Sequence, residues 1–571
     1  MAEVLLSPGV LARENDQSFI SAQPVQAGAA ILGPTVKGPV GIPTLVTSYS
    51  DYTNKFGAKV ESGSAEYTYL TSISAYNYFQ QGGDSLLVTR IVSGSYTPAT
   101  SSLVSNELST AAFTLETFTE GAIANSTSTE GTNNTLPNGS NDNLRWEIVS
   151  PNTASGTFSL LIRRGNDSSK QKVVLETWPG LSLDPNSDSY ITKVIGDAKQ
   201  SVTSDNGEYY LQYSGSYANA SRYVRVKSVG TPTLNFLDNN GSAKDALTGS
   251  IPLAASGTFG DADGTPFVGR QANFYGSINN TDTQGLIGSN YTDSIKLLAN
   301  QDLFQYNLIV APGLIKDNST HASEITRLID NAQTRGDNLA VVDLVNYGAN
   351  IGTVTSEASG IDSSYAATYW PWLQTIDPDL GSQVWVPASA MMPGVYAFND
   401  RAGEAWFAPA GLNRGGLSTV IRAERNLTNG NRDTLYQDNV NPIATFPNTG
   451  VVVFGQKTLQ KKASALDRVN VRRLLIELKS FISQIGDQLV FEQNTIATRN
   501  NFLSQVNPYL ASVQQRQGLY AFKVVMDDSN NTPDVIDRNQ LVGQIYIQPT
   551  RTAEFIYLDF NLQPTGATFP A

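Results

Sequence analysis

Residues 306–344 read YNLIVAPGLIKDNSTHASEITRLIDNAQTRGDNLAVVDL. The run Tyr306 to Val310 is almost wholly apolar and ends at Ala311-Pro312-Gly313, the pattern of a strand buried on both faces. Ala322 to Arg335 carries Ile325, Leu328, Ile329 and Ala332 at helical spacing. Leu339 to Leu344 is a second buried strand. Strand, helix and strand in this order make a βαβ unit, and such a unit implies parallel strands.

Outward from this unit the same grammar recurs upstream. Ala29 to Gly33 reads as a strand stopped by Pro34, and Thr44 to Val46 as another. Ser50-Asp51-Tyr52 opens a short helix that reaches Phe56 and stops at Gly57. Tyr67 to Phe79 carries a helical stripe of Tyr69, Leu70, Ile73, Tyr76 and Phe79, and Leu86 to Val92 follows as a strand. Residues 23–95 with 290–440 are therefore read as one α/β core. Between them lies a segment of different character. Residues 96–143 are rich in Ser, Thr, Asn and Gly, with few large apolar residues after Phe118. They read as a long exposed loop or the edge of an insertion. Short strands follow at Arg145 to Val149, Phe158 to Ile162, Val173 to Leu175, Tyr209 to Tyr213 and Tyr223 to Val226. The expectation is a mainly β, surface-exposed insertion over 96–289. Residues 365–417 crowd aromatics with Pro and Gly and show no simple period, so they read as packed loops at a domain junction or partner surface.

Residues 441–571 are read as a C-terminal domain. They open with the strand Val451 to Phe454, followed by an amphipathic helix over about Ser464 to Phe491 and a second over about Thr495 to Gln517. Three β-type runs close the chain: Leu519 to Met526, Leu541 to Gln548 and Glu554 to Leu562. The last two alternate apolar and polar residues, as half-buried strands do. Residues 1–22 read as an arm. Val4, Leu5 and Leu6 can form a strand before Pro8-Gly9 breaks it. Such a strand either pairs within its own domain or adds to the sheet of another copy.

Composition removes several function classes. The chain has 571 residues and a net charge of −13, which argues against non-specific nucleic-acid binding. It has no Cys, hence no disulfide, thiolate metal site or Cys nucleophile, and a single histidine, His321, which leaves little room for a His-based triad. No stretch approaches the ~20 apolar residues that span a bilayer. The N-terminus has no basic segment and only a short apolar run, so the expectation is a chain made in a cytoplasm and not exported. Catalysis, cofactors and metals are accordingly not expected. Local look-alikes fit structural roles better. Gly450 to Thr458 approaches a phosphate loop, but Gln456 interrupts the Gly-Lys pair. Asp261-Ala262-Asp263-Gly264 reads as a turn, Arg335-Gly336-Asp337 as a helix-to-strand connection, and His321 as a surface residue before a helix.

The order of short motifs along the chain resembles the tail sheath proteins of contractile-tailed bacteriophages. Leu6-Ser7-Pro8-Gly9-Val10, Phe79-Gln80-Gln81-Gly82-Gly83-Asp84 and Val88-Thr89-Arg90-Ile91 are similar to that family's opening. Ala366-Ala367-Thr368-Tyr369-Trp370-Pro371-Trp372 leading to Pro393-Gly394-Val395-Tyr396-Ala397 is the strongest piece. Arg468 to Leu474 and Ala553-Glu554-Phe555-Ile556 complete the set. The resemblance implies stacked hexameric rings of this chain around a tail tube, meeting a baseplate and a tail terminator. It also implies a virion tail assembled in the host cytoplasm, and contraction that drives the tube through the host envelope. The sheath of a bacteriocin-like or other contractile injection particle uses the same design. A surface adhesin or glycan-binding protein is the alternative of a different class, motivated by the Ser/Thr/Asn-rich insertion.

Fold and sites can then be stated together. The expected fold is a multidomain α/β and α+β chain: an α/β core, a mainly β insertion, and a C-terminal helix-plus-sheet assembly domain with exchanged terminal arms. Lys457, Lys461, Lys462, Arg468, Arg472, Arg473 and Lys479 stand against only Asp467 and Glu477 in one short segment. The apolar stripe Leu466, Val469, Leu474, Leu478, Phe481, Ile485 and Leu489 would turn these cations outward. An ordinary solvated face is one reading; the resemblance suggests a face towards an acidic tube. The resemblance likewise makes Val4, Leu5, Leu6, Pro8, Gly9 and Val10 an inter-subunit arm. Val524, Ile545, Ile547, Phe555 and Tyr557 would then lie on arm-receiving strands.

Overall fold

A computed structural model describes residues 25–62, 65–104, 109–126, 129–266 and 274–557. The arm residues Val4 to Val10 lie outside the described residues. The βαβ unit forms as its spacing predicts: strand Leu308–Ile315, helix Ala322–Arg335, strand Leu339–Asp343. The two strands run parallel, with Val310 opposite Val341. Gly336 ends the helix at φ 72°, and its N–H returns to the Ala332 carbonyl. A residue with a Cβ would be strained there. Arg335 is buried and donates to the Leu298 and Phe304 carbonyls and to Asp337. The Arg-Gly-Asp triplet is thus a packed connection.

These strands sit in the middle of an eight-stranded sheet. Its order is Gly450–Val453, Asn441–Phe446, Ala366–Trp370, Leu339–Asp343, Leu308–Ile315, Ala29–Gly33, Leu86–Arg90 and Thr44–Val46. The six inner strands are parallel, and each edge strand is antiparallel to its neighbour. Alternate residues feed two cores. Ile31, Val88, Val310, Val341 and Tyr369 point into one, with helices Leu70–Gln80 and Ala388–Ala402 packed on it. Ala30, Leu87, Ile309, Val342 and Trp370 point into the other, under helix Ala322–Arg335. Burial on both faces is why the strands read as unbroken apolar runs.

Four expectations change. First, Val451 to Val453 is the edge strand of this sheet, so the α/β core extends past 440 and the C-terminal domain begins after it. Strand pairing with Asn441–Phe446, not the local apolar run, decides which core it joins. Second, residues 365–417 contain the fifteen-residue helix Ala388–Ala402, with Pro393 and Gly394 inside it. Most of this helix is buried, so no amphipathic stripe marks it. A Cβ at Gly394 would stand 2.3 Å from the Asn77 amide nitrogen, whose own hydrogen bond goes to the Met391 carbonyl at 2.8 Å. Close helix packing explains the glycine. Third, His321 is fully buried rather than on the surface. Its Nδ1 lies 3.4 Å from the Ile315 N–H, and burial pulls the imidazole down to about 4, so it is neutral. Fourth, residues 96–143 are not an open loop: they supply strands Pro98–Val104 and Ala111–Glu120, with Phe113 and Leu115 fully buried.

The insertion is mainly β. Two sheets, of four and three strands, enclose one core in which Phe113 stacks on Phe158. A buried ion network, Arg163 and Arg145 on Asp167, ties two strands of the four-stranded sheet to the turn that follows Arg164. The insertion does not extend to 289: Ile278 lies in the main core, and Gln284 accepts the Leu70 N–H at 2.9 Å. Buried Arg90 clamps the junction, donating to Gly38 O in the core and Glu120 O in the insertion at 2.6 and 2.8 Å.

Candidate assembly interface

The C-terminal domain is built on two helices, Val469–Asp487 and Ile496–Gln515. Leu474, Leu478 and Ile485 of the first meet Phe502, Val506, Leu510 and Val513 of the second, and Phe481 stacks on Tyr509 at 3.7 Å. The opposite side of the first helix enters the α/β core through Val469 and Ile476. Trp406 wedges between the two bodies: its indole N–H donates to Arg516 O at 3.1 Å, and Arg516 lies over its ring. The first helix is therefore sandwiched rather than laid on a surface.

This sandwich relocates the predicted basic face. Arg473 is 6% exposed and holds Asp400 through both terminal nitrogens, at 2.8 and 2.5 Å. Arg472 is 4% exposed, lies 4.0 Å over the Tyr365 ring and bonds Ser364. Neither turns outward. A single apolar stripe predicts one buried face, whereas this helix buries two, and the second buries Arg473 on Asp400 and Arg472 against Ser364 and the Tyr365 ring. Lys457 is half-buried and donates to Tyr436 O at 2.6 Å; burial pulls its ammonium below the ordinary range. Arg468 is committed to Glu554 and Asp467. Lys461, Lys462 and Lys479 remain exposed, with Lys479 reaching the Tyr365 hydroxyl at 3.2 Å.

Against the second helix lies a two-stranded antiparallel hairpin, Leu519–Val525 and Gln544–Pro549, with Val524 opposite Ile545 and Phe522 opposite Ile547. Val524, Ile545 and Ile547 pack towards the helices, while Tyr520 and Tyr546 stand exposed on the other face. Among the described residues no third strand pairs with either edge. The third closing run is not a strand over Glu554 to Tyr557, and its remainder lies outside the described residues. Phe555 and Tyr557 are therefore not strand positions of this sheet; they are 71% and 88% exposed.

What replaces the strand is a carboxylate seat that alternation could not signal. Glu554 meets Arg468, Gln456 and Tyr436, from three separate parts of the chain. Burial alone would raise the Glu554 carboxyl, but the bonds from Arg468, Gln456 and Tyr436 outweigh it and hold the group below the usual carboxylate range. The one trace in the sequence is the motif Ala553-Glu554-Phe555-Ile556. Among the described residues no cluster of acidic or His side chains could hold a metal ion, and no helix is long and apolar enough to cross a membrane.

Comparison with known proteins follows this division of the chain. Residues 284–459 match the phage tail sheath protein central domain, and residues 461–563 the phage tail sheath C-terminal domain. The tail sheath protein of Vibrio phage KVP40 is 38% identical over 230 residues, 40% of this chain and 32% of that protein. That of Enterobacteria phage T4 is 38% identical over 230 residues, 40% of this chain and 35% of that protein. The match thus spans about a third of the length of these curated relatives. A crystal structure of a sheath tail protein from Listeria innocua, 11% identical, shares the fold with a TM-score of 0.51 over 92% of this chain and 96% of that one. By these two domains, residues 284–459 and 461–563 of the chain belong to the phage tail sheath family.

Proposed function

We propose that the chain is a non-enzymatic structural subunit of a contractile tail sheath, polymerising around a tail tube in the virion and shortening to drive that tube through the host envelope. The observation that carries this reading is the pair of sheath domains over 284–459 and 461–563, the second of which contains a hairpin with no third strand at either edge among the described residues. An open edge is a row of unpaired N–H and C=O groups, a template for another chain's strand. The N-terminal arm, Val4 to Val10, supplies such a strand to a neighbouring copy. At ~3.3 Å per extended residue the first 22 residues reach roughly 70 Å, enough to cross to a neighbour. Rings therefore stay joined by exchanged strands while their packed bodies move. The tube-facing surface is carried by the exposed lysines Lys461, Lys462 and Lys479 rather than by the arginines inside the protomer. Baseplate and terminator proteins cap the two ends of the polymer.

Electron microscopy of the purified chain, alone and with its tube protein, tests the reading. Tubes or rings are expected from the full chain. Folded monomers are expected once residues 1–16 are deleted, and Lys461→Glu/Lys462→Glu/Lys479→Glu should form sheath that no longer co-assembles with tube. Discrete full-length monomers that bind glycan would overturn the proposal. Intact sheath from the truncation would overturn arm exchange alone.

A further inference from the structure

Strands Leu339–Asp343 and Ala366–Trp370 part before they end. Their parallel ladder pairs Ala340 with Ala366 and Val341 with Ala367, and stops at Val342 opposite Thr368. Beyond that point each strand keeps only its outer neighbour: Asp343 faces Ile315, while Tyr369 and Trp370 face Asn441 and Pro442. The fork between them is a cavity of about 10 Å³, the room of a single water molecule. Val354 from one core and Ala388 from the other both line it, so it lies in the plane of the sheet rather than on one face. Asp343, Thr368 and Trp370 are its lining residues with side-chain polar groups in need of partners. Both Asp343 oxygens accept from Ser389, one from its N–H and one from its hydroxyl. No cation offsets this buried carboxyl among the described residues. The Thr368 hydroxyl and the Trp370 indole N–H are buried, and neither has a hydrogen-bond partner among the described residues. A buried donor left unpaired loses its hydration without return, and native proteins meet such groups with protein or with ordered water.

We propose that this fork is a binding site for one internal water, which accepts from Trp370 Nε1–H, donates to the Asp343 carboxyl and takes Thr368 Oγ1 as its third partner. The donor set selects the ligand. An indole N–H only donates, an ionised carboxylate only accepts, and a hydroxyl does both. A metal ion would leave the indole N–H without an acceptor, and an anion would face the Asp343 carboxylate. A neutral molecule that both donates and accepts satisfies all three groups, and the volume admits nothing larger than water. The water does here what ladder bonds do elsewhere in the sheet: it ties two strands together where they have diverged. It also reaches the helix over that face. Ser389 is the second residue of helix Ala388–Ala402 and holds the same carboxyl, so both strands and the helix meet on one bound molecule. The site lies within a single protomer and stands independently of the assembly reading.

The test uses the full-length chain and its Thr368→Val, Trp370→Phe and double variants, with folding equilibrium constants read from denaturant titration. Thr368→Val keeps the shape of the side chain and decides by sign. In a dry fork it deletes an unpaired buried hydroxyl, and the folding constant rises. With water bound it removes one of the water's partners, and the constant should fall roughly two- to tenfold. The double variant should lose less than the product of the two single losses, because both single variants give up the same water. A high-resolution crystal structure of the unaltered chain should show one water within hydrogen-bond reach of Trp370 Nε1 and an Asp343 oxygen, and this readout stands even if a variant fails to fold. A fork without density, a Thr368→Val chain more stable than wild type, or strictly multiplicative losses would each overturn the site. Rubidium soaked into the same crystals should give no anomalous signal in the fork; a peak there would make the ligand a cation and overturn the assignment to water.

Discussion

The central sheet and the closing hairpin solve the same problem in opposite ways. The sheet has eight strands, helices over both faces, and antiparallel edge strands that finish it within the chain. Even its last edge is attended, since Leu417 N–H donates to Val451 O and Val453 N–H to Gly415 O. The hairpin has two strands, helices on one face, tyrosines on the other, and no described partner at either edge. A two-stranded sheet is marginal alone and gains from a third strand. The difference teaches where this molecule is complete and where it is half of a contact.

Variants can break or sharpen that contrast. The largest effect is expected at Trp372, which is buried between sheet and helices and donates to Val345 O at 3.1 Å. Trp372→Ala should cost about 3–5 kcal/mol, read as a large drop in the denaturation midpoint, because a rigid two-sided core cannot collapse into the cavity. A loss below about 1 kcal/mol would mean that the core is far more plastic than its packing implies.

A smaller, pH-dependent effect of opposite sign is expected at Asp343. Its carboxylate accepts the Ser389 N–H at 3.1 Å, tethering the start of helix Ala388–Ala402. Burial pushes this carboxyl up to about 6, although the Ser389 bonds pull the other way. The folded state therefore binds a proton that the unfolded state, with a carboxyl near ~4, releases first. Stability from this group is complete below about pH 4 and is lost as pH rises through about 6. Asp343→Asn keeps an acceptor for Ser389 and removes the buried charge, so it should stabilise the chain at pH 7–8 by on the order of 1–3 kcal/mol. Melting curves at pH 4 and pH 7.5 check this; an equal shift at both would refute the buried-charge account.

The smallest effect on the monomer is expected on the outer face of the hairpin. Tyr520→Ser/Tyr546→Ser should change monomer stability by under about 0.5 kcal/mol per site, as exposed positions do. The same variant should slow polymerisation if that face is covered in the assembly. A monomer destabilised as much as by Trp372→Ala would show that the hairpin is a finished part of the protomer core.

Legibility in the sequence followed periodicity. The helix Ala322–Arg335 was readable to the residue because one face is buried and the other wet. Helix Ala388–Ala402 was not, because a helix buried around most of its circumference carries no stripe, and Pro393 argues locally against it. The basic segment around Arg468 was visible as composition, but its meaning was not. Arg472 and Arg473 are identical in sequence character to exposed arginines, and only Tyr365, Ser364 and Asp400, more than seventy residues upstream, turn them inward.

The sequence by itself determined the parallel α/β core, the β character of the insertion, the helical pair near the C-terminus and, through ordered motifs, the family. These depend on local spacing and on residue types that a single chain displays. The tertiary structure decided which strand belongs to which sheet, which cations reach water, and where the tail goes after Pro549. Each of those is a choice among partners distant in sequence, made by hydrogen-bond geometry and desolvation. Glu554 summarises the point: alternation made it the start of a strand, and a bidentate arginine 86 residues away made it an anchor instead.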